Sequence, residues 1–138
     1  MAGLDRAARL RLEPSIDDLN PASVDDGAVA LTGLARCLDA GEHLRGVVTG
    51  WVRGVPCAVA RTDDRWVIVA ARFPEPVVES LPADRVEVAL YGAPGASTVS
   101  LTIVHRRKLL EVTSVRDVSV ATALVEGPGA QQRSAGYF

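Results

Sequence analysis

Four consecutive residues, His105-Arg106-Arg107-Lys108, form the densest cluster of chemistry-bearing side chains in the chain. Guanidinium forks match phosphate and carboxylate geometry, so such a cluster could grip a phosphate, an anionic headgroup or an acidic segment of a partner. A hairpin tip is also ordinarily polar, and a solvated turn accounts for the same residues. Arg53, in the turn Trp51-Val52-Arg53-Gly54-Val55, is the other candidate anion contact. Trp51 and Trp66 are the only tryptophans, and Tyr137-Phe138 closes the chain; aromatic rings at such places suit interfaces as well as cores.

Catalysis needs a nucleophile, a base and a group that orients the base. His43 and His105 are the only histidines and stand far apart, and neither has a nucleophile signature beside it. Cys57 would need the fold to bring His43 or His105 to it. No GxGxxG is present, and Gly92-Ala93-Pro94-Gly95-Ala96 lacks the Lys and Ser/Thr of a phosphate loop. The expectation is a protein without catalytic residues, metal or cofactor. Cys37 and Cys57, the two cysteines, are expected as buried thiols in a reducing compartment.

These groups must be positioned by an aliphatic fold. The 138 residues are 48% hydrophobic but only 4% aromatic, and Val, whose branched Cβ suits a pleated surface, predominates. A net charge of −2, from 15 basic and 17 acidic residues, lacks the basic excess of a nucleic-acid binder. No apolar run approaches the about 20 residues a membrane helix needs. The opening MAGLDRAARLRLEPS has no apolar core of a secretory signal, so a cytoplasmic location is expected.

Residues 1–24 read as an arm in which Ala7 to Leu12 can form a helical turn, Pro14 and Pro21 interrupt any longer element, and some of Leu10, Leu12, Ile16 and Leu19 are spaced to dock on the domain. A helix is predicted over 26–39, capped by Asp25 or Asp26, with Leu31, Leu34, Ala35 and Leu38 on one stripe and Gly41 beyond its end. Seven strands follow: 44–52, 55–61, 65–71, 77–81, 85–91, 98–105 and 109–115. Arg53-Gly54, Thr62-Asp63-Asp64 and Arg106-Arg107 are the tight turns. Pro74 and Pro76 mark the fourth strand as an edge, with Val77 and Val78 offered for pairing to a peptide or a second subunit. A last helix, capped by Asp117 or Ser119 and running to about Val125, ends at Gly127-Pro128, and 127–138 reads as a flexible tail. The domain proper is thus 25–126, a mainly β (α+β) fold: a seven-stranded curled barrel or sandwich with a C-terminal capping helix and an extra N-terminal helix.

Four stretches carry a family resemblance: LARCLDAGEHLRGVVTG (34–50), RTDDRWVIV (61–69), VVESLPADRVEVAL (77–90) and SLTIVHRRKLLEVTSV (100–115). In this order and spacing they resemble the bacterial branch of the pleckstrin-homology-like (PH-like) domains, over Leu34 to Val125, about two thirds of the chain. The resemblance implies a binding or assembly module, with self-association common. Relatives that bind inositol lipids use basic residues around the first two strands. Here only Arg53 lies in that turn, with Arg45 and Arg61 in the flanking strands, a departure from a phosphate-cradling loop. The expected function is recognition of a protein partner, or of a second copy, through a sheet edge or the groove between sheet and last helix. The alternatives are a small-ligand barrel, for flavin or another phosphate-bearing molecule, and a peripheral module for anionic membranes.

Overall fold

Seven strands form one antiparallel sheet in the order β4-β3-β2-β1-β7-β6-β5. They are β1 (Leu44–Val52), β2 (Val55–Thr62), β3 (Arg65–Ala70), β4 (Val77–Pro82), β5 (Glu87–Tyr91), β6 (Val99–His105) and β7 (Lys108–Val115). The computed structural model describes residues 4–72, 74–93 and 95–126. Sequence and structure agree on the strand bounds to within two residues. Consecutive strands are joined by hairpins except β4 and β5, between which a 3-10 turn (Ala83–Arg85) intervenes.

The sheet curls between β1 and β7, which meet at Trp51 and Thr113, where the Thr113 hydroxyl donates to the Trp51 carbonyl at 3.3 Å. Gly50 permits this crossing: a Cβ there would lie 2.7 Å from the Thr113 carbonyl oxygen and 2.7 Å from a Val112 methyl. Close backbone approach of this kind selects glycine. β7 also carries a bulge. Between the pairs Val99↔Val115 and Leu101↔Val112 it has one more residue than β6, and Ser114 absorbs it at φ +58°.

The two half-sheets face each other over the main core, which contains Val48, Val59, Ile68, Leu101, Ile103 and Val112. α4 (Val118–Glu126) caps this core with Ala121, Leu124 and Val125. Leu124 seats directly on Gly46 of β1, where a Cβ would stand 2.6 Å from its Cδ2.

A second core lies on the opposite face of β1, β2 and β3. It explains why Ala58-Val59-Ala60 and Val67-Ile68-Val69 are unbroken apolar runs rather than alternating ones: both faces of these strands are covered. The cover is N-terminal. α1 (Arg6–Leu12), a 3-10 turn (Ser15–Asp18), α2 (Pro21–Asp26) and α3 (Ala28–Cys37) bury Leu12, Ile16, Leu19, Leu31 and Leu34 against Val47, Val67 and Val69.

Three expectations need correction. The segment expected as an arm over 1–24 is, from residue 4 on, helical and integral to the domain, with Leu12 and Ile16 all but fully buried; Leu10 alone of the four expected docking residues points outward, 61% exposed. The helix expected over 26–39 is present as α3, but it begins at Ala28 and neither Asp25 nor Asp26 caps it. Gly27 is the N-cap of α3 and α2 ends at Asp26, because Asn20 and Pro21 start a separate helix there, with the Asn20 side chain accepting from the Ala22 N–H. Cys37, at the end of α3, is half-buried rather than buried; Cys57 alone is fully enclosed. The tail 127–138, with Tyr137 and Phe138, lies outside the described residues. Among the described residues no helix is long and apolar enough to cross a membrane.

Candidate functional site

A cleft of about 1280 Å³ opens where the beginnings of β1 and β5 meet α4 and the N-terminal segment. Its floor is aliphatic, from Val86 and Val88 at β5 and from Val120, Leu124 and Val125 of α4, with Trp66 of β3 beside them. Its walls are charged. One wall is the β1–β2 side, with Arg45, Arg61 and Asp63. Two others are the N-terminal segment, with Arg11, Glu13 and Asp18, and the 3-10 turn leading into β5, with Asp84 and Glu87.

Local chemistry fixes the first wall. The Arg45 Nε donates to Asp63 Oδ1 at 2.8 Å, and His43 Nδ1 lies 3.1 Å from the same oxygen. Both contacts hold the Asp63 carboxyl below its ordinary pKa, the Arg45 bond first. The Arg61 guanidinium lies over the Trp66 ring, 5.7 Å from its centroid, a cation–π arrangement that orients both side chains. Burial and the neighbouring Arg45, in that order, lower the Arg61 pKa from its ordinary value. Arg11 donates to the Asp39 carbonyl.

At the back of the cleft Glu42 and Arg65 form a bidentate clasp. Arg65 Nε and one terminal nitrogen each donate to a Glu42 oxygen at 2.8 Å. Arg65 also donates to the Cys37 carbonyl at 3.0 Å and to the Ser80 hydroxyl at 2.9 Å. One guanidinium thus ties the end of α3 and the entry to β1 to the start of β3 and the end of β4. Its hydrogen bonds, foremost, bring the Glu42 pKa down to about 2.

The residues singled out from sequence fall in different places. His105, half-buried, faces Lys108 across the β6–β7 turn, and Arg106 and Arg107 are exposed at its tip. Arg106 sits at φ +58°, a left-handed backbone unusual for a long side chain. Lys108 is not free for a ligand, since it pairs with Glu79 of β4 and so latches the hairpin across the mouth of the curled sheet. Arg53 is on the separate β1–β2 turn, and no hydrogen bond or ion pair joins it to the 105–108 turn. Trp51 is 38% exposed on the outer face, whereas Trp66 is buried at 4% and can meet a ligand only through the cleft. Val77 and Val78 are each 44% exposed at the start of edge strand β4. The fold therefore brings Trp66 to the cleft, keeps Trp51 and Arg53 together at the end of the β1–β2 hairpin, and leaves the 105–108 cluster on a different turn.

Cys57 is fully buried, and burial pushes its thiol up to about 12, so it carries no thiolate at neutral pH. Among the described residues, no group of three His, Cys, Asp or Glu side chains is placed to hold a metal ion. The cleft acidic residues and the Glu42–Arg65 clasp escaped the sequence reading. The signal for Asp84 and Glu87 was only their place on either side of a strand start. No family model matches the chain, and neither a curated protein nor a solved structure matches it.

Proposed function

We propose that the protein is a non-enzymatic binding module of PH-like fold that recognises a protein segment in the cleft between the curled sheet and α4. The strand order β4-β3-β2-β1-β7-β6-β5, antiparallel throughout and closed by a C-terminal helix, supports the PH-like reading. The cleft carries the functional one. Its volume of about 1280 Å³ exceeds the about 300–1,000 Å³ usual for small-molecule sites, and it combines an apolar floor with a charged rim, the makeup of a peptide groove. The strand edges compete less well: β5 is only five residues long, and β4 is flanked by Pro76 and ends in Pro82, features that blunt edge pairing.

The test is a displayed-peptide selection on the whole protein, followed by two obstructing variants. Ala123 is exposed and lines the cleft, so Ala123→Trp fills it without touching the core. Val78→Lys charges the β4 edge instead. Selected peptides that lose binding to Ala123→Trp and keep it to Val78→Lys uphold the groove. The reverse pattern moves recognition to the edge and overturns the proposal, as does a selection that yields no binder.

A further inference from the structure

The cleft's charges are unequally engaged, and this names its occupant. Each guanidinium lining it already has a partner inside the protein: Arg45 has Asp63, Arg61 has the Trp66 ring, and Arg11 has the Asp39 carbonyl. The carboxylates divide differently. Glu42 and Asp63 are held by Arg65 and Arg45, but among the described residues Glu13, Asp18, Asp84 and Glu87 have no ion pair. These four stand on two separate walls, one pair from the N-terminal segment and one from the entry to β5, beside the aliphatic floor.

Resting on the groove reading above, we propose that the occupant is a cationic amphipathic segment of a partner protein, its apolar side on Val88, Val120 and Leu124 and its Lys or Arg side chains against Asp84, Glu87, Glu13 and Asp18. Two physical points decide the sign. A cationic segment meets four carboxylates that make no ion pair among the described residues, which steers encounter and disfavours acidic competitors. An acidic segment would face six carboxylates (Glu13, Asp18, Glu42, Asp63, Asp84 and Glu87) against three guanidiniums (Arg11, Arg45 and Arg61) among the described residues lining the cleft.

Trp66 provides the readout. In a Trp51→Phe background it is the sole tryptophan, and it lines the cleft. The probes are an amphipathic Leu/Lys helical peptide and its Leu/Glu counterpart of equal length, titrated against the full chain at low and high salt. The expected result is a Trp66 emission change with Leu/Lys only, weakened by salt. Ala123→Trp with Trp66→Phe, followed by anisotropy of labelled peptide, should abolish binding. Asp84→Asn/Glu87→Gln should weaken it about tenfold, as two rim charge pairs would, and circular dichroism checks that the variant stays folded. Equal or stronger binding of Leu/Glu would overturn the charge assignment while leaving the groove reading intact. Leu/Lys binding indifferent to both Ala123→Trp and the carboxylate variant would place the peptide elsewhere and overturn it too. Binding of neither peptide would overturn the cationic occupant, and the peptide selection then decides the groove separately.

Discussion

Replacing Glu42 by Gln removes one charge from the clasp with Arg65 and leaves its shape. The carboxyl pKa falls from an ordinary 4.5 to about 2 in the folded protein. At about 1.4 kcal/mol per pH unit, that difference caps the linked stabilisation at about 3 kcal/mol. The Glu42 side chain is 11% exposed and that of Arg65 22%, so solvent reaches the pair and screens it. A net loss of about 1–2 kcal/mol at neutral pH is the realistic expectation for Glu42→Gln. The pH dependence is the sharper test. Because the folded pKa is depressed, the stabilisation is complete above about pH 4.5 and is lost as pH falls toward 2. Urea unfolding of both proteins should show the full gap at about pH 7 and about a quarter of it at about pH 2.5. A gap of the same size at both pH values would mean that lost packing, not the ion pair, is being measured, and the clasp argument would fail. No gap at neutral pH would show that desolvation cancels the attraction.

Three further outcomes follow from the geometry. Folded protein should release only the Cys37 thiol to a disulfide-exchange reagent at neutral pH, with Cys57 reacting once urea unfolds the chain; rapid reaction of both in the folded state would contradict the enclosure of Cys57 and its thiol pKa of about 12. Ser114→Gly should raise stability by about 0.5–1 kcal/mol in urea unfolding, because glycine takes the φ of +58° without Cβ strain; a loss of stability would mean the bulge needs the serine side chain. Gly50→Ala should cost about 1–3 kcal/mol, since the new methyl meets the Thr113 carbonyl oxygen on another strand, and a neutral result by thermal denaturation would show that β1 and β7 can part there.

The strands were legible because each is local and bounded by turn chemistry. Arg53-Gly54, with φ of 51° and 77°, and Thr62, whose hydroxyl accepts from the N–H groups of Asp64 and Arg65, stop and reverse the chain on their own. Alternation in β6, with Val99, Leu101 and Ile103 buried and Val104 exposed, fixed its faces. Of the N-terminal segment only the helical turn over 7–12 was legible, because its pieces of seven, four and six residues are shorter than any window in which a 3.6-residue period can be heard. Yet its cover was implied elsewhere in the chain. Ala58-Val59-Ala60 and Val67-Ile68-Val69 have no polar face to give to water, so something had to lie on their outer side. The apolar residues of the first 24 positions were the nearest supply.

The cleft was out of reach for a different reason. Its floor and walls come from the N-terminal segment, β1, β2, β3, the entry to β5 and α4, and each supplies only one to five of the residues. Sequence reading found charge where charges are adjacent, at His105-Arg106-Arg107-Lys108. In the fold that cluster is partly spent, because Lys108 answers Glu79 across the mouth of the sheet. Local charge density measures what a turn can show to solvent. What a site can offer a ligand is the charge left over after the fold has paired its own, and that remainder is set by long-range contacts such as Arg65 with Glu42 and Arg45 with Asp63. By that measure the unmatched carboxylates among the described residues lining the cleft are Glu13, Asp18, Asp84 and Glu87, dispersed over 75 residues of sequence and gathered around one aliphatic floor.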